Sequence, residues 1–348
     1  MKNNKYVPLI ILLVSICSMA FLYGCGTVAG GGGGGGAAKS AWIYVSDMNN
    51  YRIVVIDGTT NTTVEPIILD EKPTNIAASP DGKKIYCSVV DDEIYVIDTT
   101  TNTSVEMFTV SPNAANSCGM IVSPDNKYLY LTSTTTKEFF RVDLTAGGYP
   151  VQSTMLLGYG GPIALNSDNT KAYVCVGGVD QVNTTLEVIN LQTMTKEASI
   201  NVVNHPYDIT IKDNYAYVAM SSAFQLIARV DLTSHSVECI DFDPLNYLRG
   251  VASIPGQDKL YFSNNIASPA EIQILKPSKF PTMETTPISS SELSYPERIV
   301  ATANYAYVVD ANPHDKIVII DVNTDEIVKY IYGLNGDPLY SNPVVVYK

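Results

Sequence analysis

The stretch Ala77-Ala78-Ser79-Pro80-Asp81-Gly82-Lys83-Lys84-Ile85-Tyr86-Cys87-Ser88, continued by Ile94-Tyr95-Val96-Ile97-Asp98-Thr99-Thr100-Thr101-Asn102-Thr103-Ser104-Val105, decides the fold. Pro80 presets φ and Gly82 accepts a positive φ, so Ser79 to Lys83 is a tight turn between two β-branched, alternating runs. The predicted strands of this unit are 75–79, 84–89, 93–98 and 104–110, four short antiparallel strands with no helical periodicity between them.

The pattern recurs in both directions. Its first tyrosine falls at Tyr44, Tyr86, Tyr130, Tyr173, Tyr217, Tyr261 and Tyr307, with spacings of 42 to 46 residues. A strand ending in a polar residue follows each time, at Asp57, Asp98, Asp143, Asn190, Asp231, Lys276 and Asp321. Residues 41–348 therefore divide into seven units of 44. Length alone suggests about two domains of ~150 residues each; the repeat replaces them with one closed array. Four-stranded units at this period predict an all-β, seven-bladed β-propeller. The first unit starts at Trp42 on its second strand, and the chain ends on Asn342-Pro343-Val344-Val345-Val346-Tyr347, which reads like the inner strands that start at Pro73 and Pro206. The C-terminal strand is thus expected to complete the N-terminal blade and cover two edges that would template aggregation. Unit six, with Lys276 and the Pro-rich run 277–287, is expected to have a distorted outer hairpin.

Strings such as Ile94-Tyr95-Val96-Ile97-Asp98-Thr99-Thr100-Thr101-Asn102-Thr103 resemble the YVTN-type β-propeller repeat of bacterial and archaeal surface and periplasmic proteins, over residues 41–348. Relatives with such blades include surface-layer proteins, lactonase-like enzymes and subunits of periplasmic redox complexes. The resemblance therefore implies the fold and leaves the activity open.

The first forty residues read as an address. Lys2 and Lys5 precede an apolar run from Val7 to Tyr23, and Leu22-Tyr23-Gly24-Cys25 resembles a bacterial lipobox. Residues 1–24 are expected to be a lipoprotein signal peptide and 25–40 a tether that starts at a lipidated Cys25 and runs through seven consecutive glycines, Gly30 to Gly36. Two or more acyl chains give stable anchoring. Gly26, in place of the aspartate that retains some lipoproteins at the inner membrane, favours the outer membrane. The 15 residues from Gly26 to Ser40 have an r.m.s. reach of roughly 20 to 23 Å as a Gly-rich coil.

The chain carries 22 basic and 35 acidic residues, for a formal charge of -13, and becomes -15 once 1–24 are removed. Backbone binding to nucleic acid needs clustered cations, so nucleic acid is not an expected partner. Three histidines, one tryptophan and no C-x-x-C-H disfavour haem and quinone cofactors. No G-x-S-x-G, H-E-x-x-H or C-x-x-C occurs. Asp321 to Asp325 mimics the start of a calcium loop but lacks its glycine, and the repeat frame explains it as a turn. Cys87, Cys118, Cys175 and Cys239 allow three complete disulfide pairings or serve as buried apolar thiols.

Propeller ligands sit over the central channel, on the face carrying the loops between second and third strands and between blades. Those loops hold Asp47, Asp91, Asp92, Asp180, Asn183, Asn264, Asn265, Glu297, Asp310 and His314. The opposite face reads as mostly Thr/Asn/Gly turns. The strongest local cluster is His205, Tyr207 and Asp208 entering blade five, with Arg249 and Arg298 at the matching entries of blades six and seven. Two arginine forks there suit an anionic ligand. The functional expectation is a membrane-tethered, non-enzymatic binding or scaffold module of the cell envelope, partnered by a protein or a small anion. A metal-assisted, lactonase-like hydrolase using Ca2+ at an acidic mouth, or a surface-layer component, are the alternatives.

Overall fold

The computed structural model describes residues 40–348 except 91, 111–116, 134, 178–183, 203–204, 221–225, 242–246, 266–268, 285, 312–314 and 335–341. The expected signal peptide at 1–24, the glycine run and Cys25 lie outside the described residues.

Seven antiparallel sheets stand around a common axis, and six of them are four-stranded in simple up-and-down order. The inner strands are Pro73–Ala78, Ser117–Val122, Tyr159–Leu165, Pro206–Lys212, Leu248–Ser253, Pro296–Ala301 and Pro343–Tyr347. Each touches its two neighbours, and Pro343–Tyr347 joins blade seven to blade two, so the ring is closed. Blade one is closed as expected: Pro343–Tyr347 pairs antiparallel with Ala41–Asp47, Val346 opposite Trp42 and Val344 opposite Tyr44. Ser40 and Lys348 exchange both backbone hydrogen bonds at the end of that ladder.

Two outer edges depart from the regular blade. In blade six the Pro-rich run becomes a 3-10 turn, Pro277–Lys279, and the outer strand shrinks to Ile288–Ser289. In blade one the outer strand is also split, into Thr62–Thr63 and Ile67–Ile68, because Pro66 has no N–H to give to a ladder.

The seven tyrosines explain the period. The buried core consists of seven clusters, one at each blade interface, and each contains one repeat tyrosine. All seven are at most 4 % exposed. The hydroxyl is long enough to reach the turn between strands three and four of the next blade. Tyr44 donates to Asn102 Oδ1 at 2.8 Å, and Tyr307 donates to Asn61 Oδ1 at 2.6 Å across the closing interface. Tyr261 meets Asp325 in the same way. Asn61, Asn102 and Asp325 all hold φ between 54° and 60°, the left-handed region that Asn and Asp tolerate best. The asparagine near the end of the repeat is therefore both turn former and acceptor for its neighbour.

Candidate functional site

The inner strands bulge where they enter the channel. Pro206 pairs with Met220, but Asp208 pairs with Ala219, so Tyr207 is extra. The same slip frees Thr74 in blade two, Arg249 and Gly250 in blade six, and Glu297 and Arg298 in blade seven. A bulge bends the strand and re-aims its side chains. Repeated around the ring, it gathers polar groups at one mouth and leaves ladder groups to be satisfied by side chains.

Short hydroxyls satisfy many of them. Thr132 accepts from Gly119 N at 2.9 Å and donates to Gly161 O of the next blade at 2.8 Å. Ser263 repeats this, accepting from Gly250 N and donating to Glu297 O of the next blade, both at 2.7 Å. A Cβ on Gly250 would lie 2.2 Å from Glu297 O, and one on Gly119 2.3 Å from Gly161 O, so these two positions need glycine for close approach of the backbones. Sequence reasoning missed this device. Its signal was present: Ser46, Ser88, Thr132 and Ser263 each stand two residues after a repeat tyrosine.

The five predicted site residues come together in blades five to seven. Tyr207 is buried with both guanidinium groups against its ring, Arg249 at 4.4 Å and Arg298 at 4.9 Å. Asp208 is fully buried; its Oδ1 accepts from Ile209 N and its Oδ2 from Val251 N of the next blade, each at 2.9 Å. Arg298 Nη1 lies 3.5 Å from Asp208 Oδ2 and donates to Arg249 O at 3.3 Å. Arg249 Nε lies 3.8 Å from Glu297 Oε1, which also accepts from Asn265 Nδ2. Two cations and two carboxylates, formally balanced in number, thus form a largely buried seam across three blades. His205 stands beside it, with its imidazole over the backbone of Gly177, where a Cβ would come within 2.1 Å of the ring.

Burial governs the protonation of this group. Loss of solvent pushes the Asp208 carboxyl up to about 7, against the pull of Arg298 and of the two backbone N–H groups. Burial likewise raises Glu297, again opposed by Arg249 and Arg298. His205 is driven down to about 4, by burial first and by the Arg249 charge second.

Two other acids at this mouth are also paired. Asp47 Oδ2 holds Arg52 Nε at 2.7 Å, and Asp310 Oδ2 holds Lys316 Nζ at 2.7 Å, with both carboxylates fully buried. Asp91, Asp180, Asn183 and His314 lie outside the described residues, and Asp92 is half-buried in the turn between strands two and three of blade two, at φ 67°. Among the described residues no group of three His, Cys, Asp or Glu side chains is arranged to hold a metal ion. Asp325, from the calcium-like stretch, is engaged by Lys259 Nζ at 2.7 Å and by Tyr261, and Asp321 caps its own turn through Asn323 N.

The opposite face departs from its expected character. Its turns are Thr/Asn/Gly-rich, but they also carry exposed carboxylates, because in every blade except blade six the turn after strand three opens on an Asp or Asn that caps a following N–H group. Asp98 accepts from Thr100 and Thr101, Asp143 from Thr145 and Ala146, and Asp231 from Thr233 and Ser234. These bonds hold all three carboxyls below their usual range. Exposed acid thus sits on the turn face, whereas the acids Asp47, Asp208, Glu297 and Asp310 at the mouth are neutralised.

The four cysteines among the described residues carry free thiols: Cys87, Cys118 and Cys175 are buried, and Cys239 is exposed on the outer strand of blade five. Among the described residues no helix is long and apolar enough to cross a membrane.

No family model and no curated protein matches the chain. Among solved structures it is similar to Kuenenia stuttgartiensis hydrazine synthase, with a TM-score of 0.67 and 14% identity over 81% of this chain and 92% of that one. It is also similar to the dihydro-heme d1 dehydrogenase NirN in complex with DHE, with a TM-score of 0.61 and 14% identity over 87% of this chain and 74% of that one. The β-propeller domain of Myceliophteria thermophila Cps50 (Swd1) gives a TM-score of 0.64 and 10% identity over 82% and 98%. Identities this low carry the seven-bladed fold and nothing of the chemistry.

Proposed function

We propose that this chain is an exported, lipid-anchored propeller of the YVTN type that works as a non-enzymatic binding or scaffold module of the cell envelope, on the outer membrane. The observation that carries this reading is the pairing at the mouth. The charged groups that would do chemistry there, Asp47, Asp208, Glu297 and Asp310, each hold a cation and are buried, and Asp208, Arg298 and Glu297 tie neighbouring blades together. Their arrangement is that of a structural seam. The chain enters the body at Ser40, beside Lys348 and on the turn face. A lipid on Cys25 would therefore hold the turn face toward the membrane and leave the mouth open to a partner.

The test has two arms. Cys25→Ser in the full chain should move the protein from the membrane to the soluble fraction. Crosslinking in intact envelopes should then capture a saturable protein partner whether or not a chelator is present. Stoichiometric retention of a divalent ion after dialysis, with lactone hydrolysis lost on chelation, would replace this reading by the hydrolase.

One observation supports a small anionic ligand as well. Arg249 is the most exposed member of the seam at 19 %, and its Nε has no hydrogen-bond partner. Anions such as phosphate or citrate should raise the melting temperature of the wild type more than that of Arg249→Ala; equal shifts exclude this route.

A further inference from the structure

Among the described residues, the large apolar side chains left well exposed belong to blades seven, one, two and three and to the connection from blade three to blade four, where Leu157 lies; none is in the strands of blades four, five and six. Single exposed apolar residues need no explanation, but their confinement to one side of a ring does. The outer strands of blades two and seven are the clearest cases. Thr103–Thr109 exposes Val105 at 57 % and Met107 at 56 %, and Glu326–Tyr332 exposes Val328 at 49 % and Tyr332 at 57 %. The outer strand of blade four, Thr195–Asn201, has the same length and exposes Thr195, Lys196 and Glu197 instead.

The two edges are built alike. In blade two the ladder passes from Val96↔Glu106 to Ile97↔Ser104, and in blade seven from Ile319↔Lys329 to Ile320↔Ile327. Val105 and Val328 are thus bulged, which discourages main-chain pairing with another strand and leaves side chains to make any contact. The residue after each bulge is charged, Glu106 in blade two and Lys329 in blade seven. Glu106 lies opposite Val96, itself opposite Tyr86, while Lys329 lies opposite Ile319, itself opposite Tyr307. They occupy the same height on the body.

We propose that the outer edge of blade two in one copy of this chain docks on the outer edge of blade seven in a second copy. Two blade-two edges would set Glu106 against Glu106, and two blade-seven edges Lys329 against Lys329, and like charges in contact are unfavourable. The mixed contact sets Glu106 against Lys329 between Val105, Met107, Val328 and Tyr332. Because the two charges stand at equal height, copies resting on one surface meet level. The contact is heterologous: each copy of a dimer still has one free edge, blade seven in one and blade two in the other, so association continues beyond a dimer, into a ring if the rotation closes and an open chain if it does not. This adds self-assembly to the proposed binding role and does not depend on it, since neither the mouth nor the lipid takes part.

Sedimentation velocity of the full chain in density-matched detergent, over a concentration series, reads the association directly. The wild type should form dimers and longer species. Glu106→Lys and Lys329→Glu should each weaken association by about tenfold or more, and the combined swap should restore it to within about threefold. Glu106 accepts a hydrogen bond from the Tyr149 hydroxyl of blade three and Lys329 is half-buried, so matched circular dichroism and melting curves identify any variant that misfolds. Wild type that stays monomeric throughout, single swaps without effect, or a double swap that fails to restore association would each overturn the proposal. Loss of lipidation or of a protein partner would leave these results unchanged, which separates them from the proposed envelope function.

Discussion

The interface that closes the ring offers the most direct test of why the repeat has its period. Tyr307 of blade seven is fully buried and donates to Asn61 Oδ1 of blade one at 2.6 Å, while Asn61 is 8 % exposed and held at φ 54° by the turn that begins at Asp57. Tyr307→Phe keeps the ring and removes only the hydroxyl. The lost hydrogen bond costs about 1 kcal/mol, and the Asn61 oxygen left buried without a donor brings the total to roughly 2 kcal/mol. For a body of this size, with an unfolding entropy of about 2 cal/mol/K per residue, that is a fall of about 3 °C in melting temperature.

Asn61→Gly isolates the pair, because glycine adopts a positive φ freely and the substitution removes the acceptor without straining the turn. In the doubly substituted Tyr307→Phe/Asn61→Gly protein neither partner is left wanting, so the coupling read by denaturant titration should be about 1 to 2 kcal/mol. Tyr130→Phe supplies the comparison. The corresponding turn residue of the next blade is Met194, φ 55°, whose side chain has no oxygen to accept, and the cost should be under about 0.5 kcal/mol. A Tyr307–Asn61 coupling below about 0.5 kcal/mol, or an equal loss in Tyr130→Phe, would refute the idea that the tyrosine and the left-handed asparagine act as one clasp.

Other expectations follow from the mouth and the closure. His205 has a depressed folded-state pKa, so it contributes nothing to pH dependence above about 6.5 and lowers stability as pH falls from there toward 4. His205→Gln should flatten that decline by up to about 3 kcal/mol, and an unchanged pH profile by thermal denaturation would contradict the burial of the ring. Arg298→Met leaves Asp208 without its cation and should cost about 3 kcal/mol, with partial recovery on adding Asp208→Asn; no recovery in urea titrations would mean that the two do not interact. Removing residues 343–348 strips the inner strand from blade one, including Val346 at 1 % exposure and Val344 at 8 %, and bares the edge of Ala41–Asp47. Insolubility or a fall of many degrees is expected, and an unaltered melting curve would sink the closure.

Much of the fold is legible because propeller geometry repeats in sequence. Seven tyrosines at a near-constant interval became seven interface clusters, and Ser79-Pro80-Asp81-Gly82 became a tight turn in which Ser79 and Asp81 share a hydrogen bond at 2.7 Å and Gly82 takes φ 77°. The break in blade six was visible as proline. The split outer strand of blade one was less so, since Val64-Glu65-Pro66-Ile67-Ile68 still alternates like a strand and only Pro66 marks the interruption.

The site was legible as a list of residues but not as an arrangement. Periodicity places Tyr207, Arg249 and Arg298 at the inner-strand entries of three blades, yet whether two arginines face a ligand or the protein depends on the bulge, which slips the register by one residue and leaves little trace in composition. Once the slip is present, Asp208 can reach Val251 N, Glu297 can face Arg249, and the positive charge that an anion would need is already neutralised. The bulges also account for the glycines and hydroxyls around them: a strand that leaves its ladder exposes N–H and C=O groups in a dry interface, and Ser263 or Thr132 must answer both at once. The polarity at the mouth thus follows first from how the strands start. A ligand at that mouth must compete with the seam or use Arg249, whereas the outer edges of blades two and seven leave Val105, Met107 and Val328 exposed to solvent.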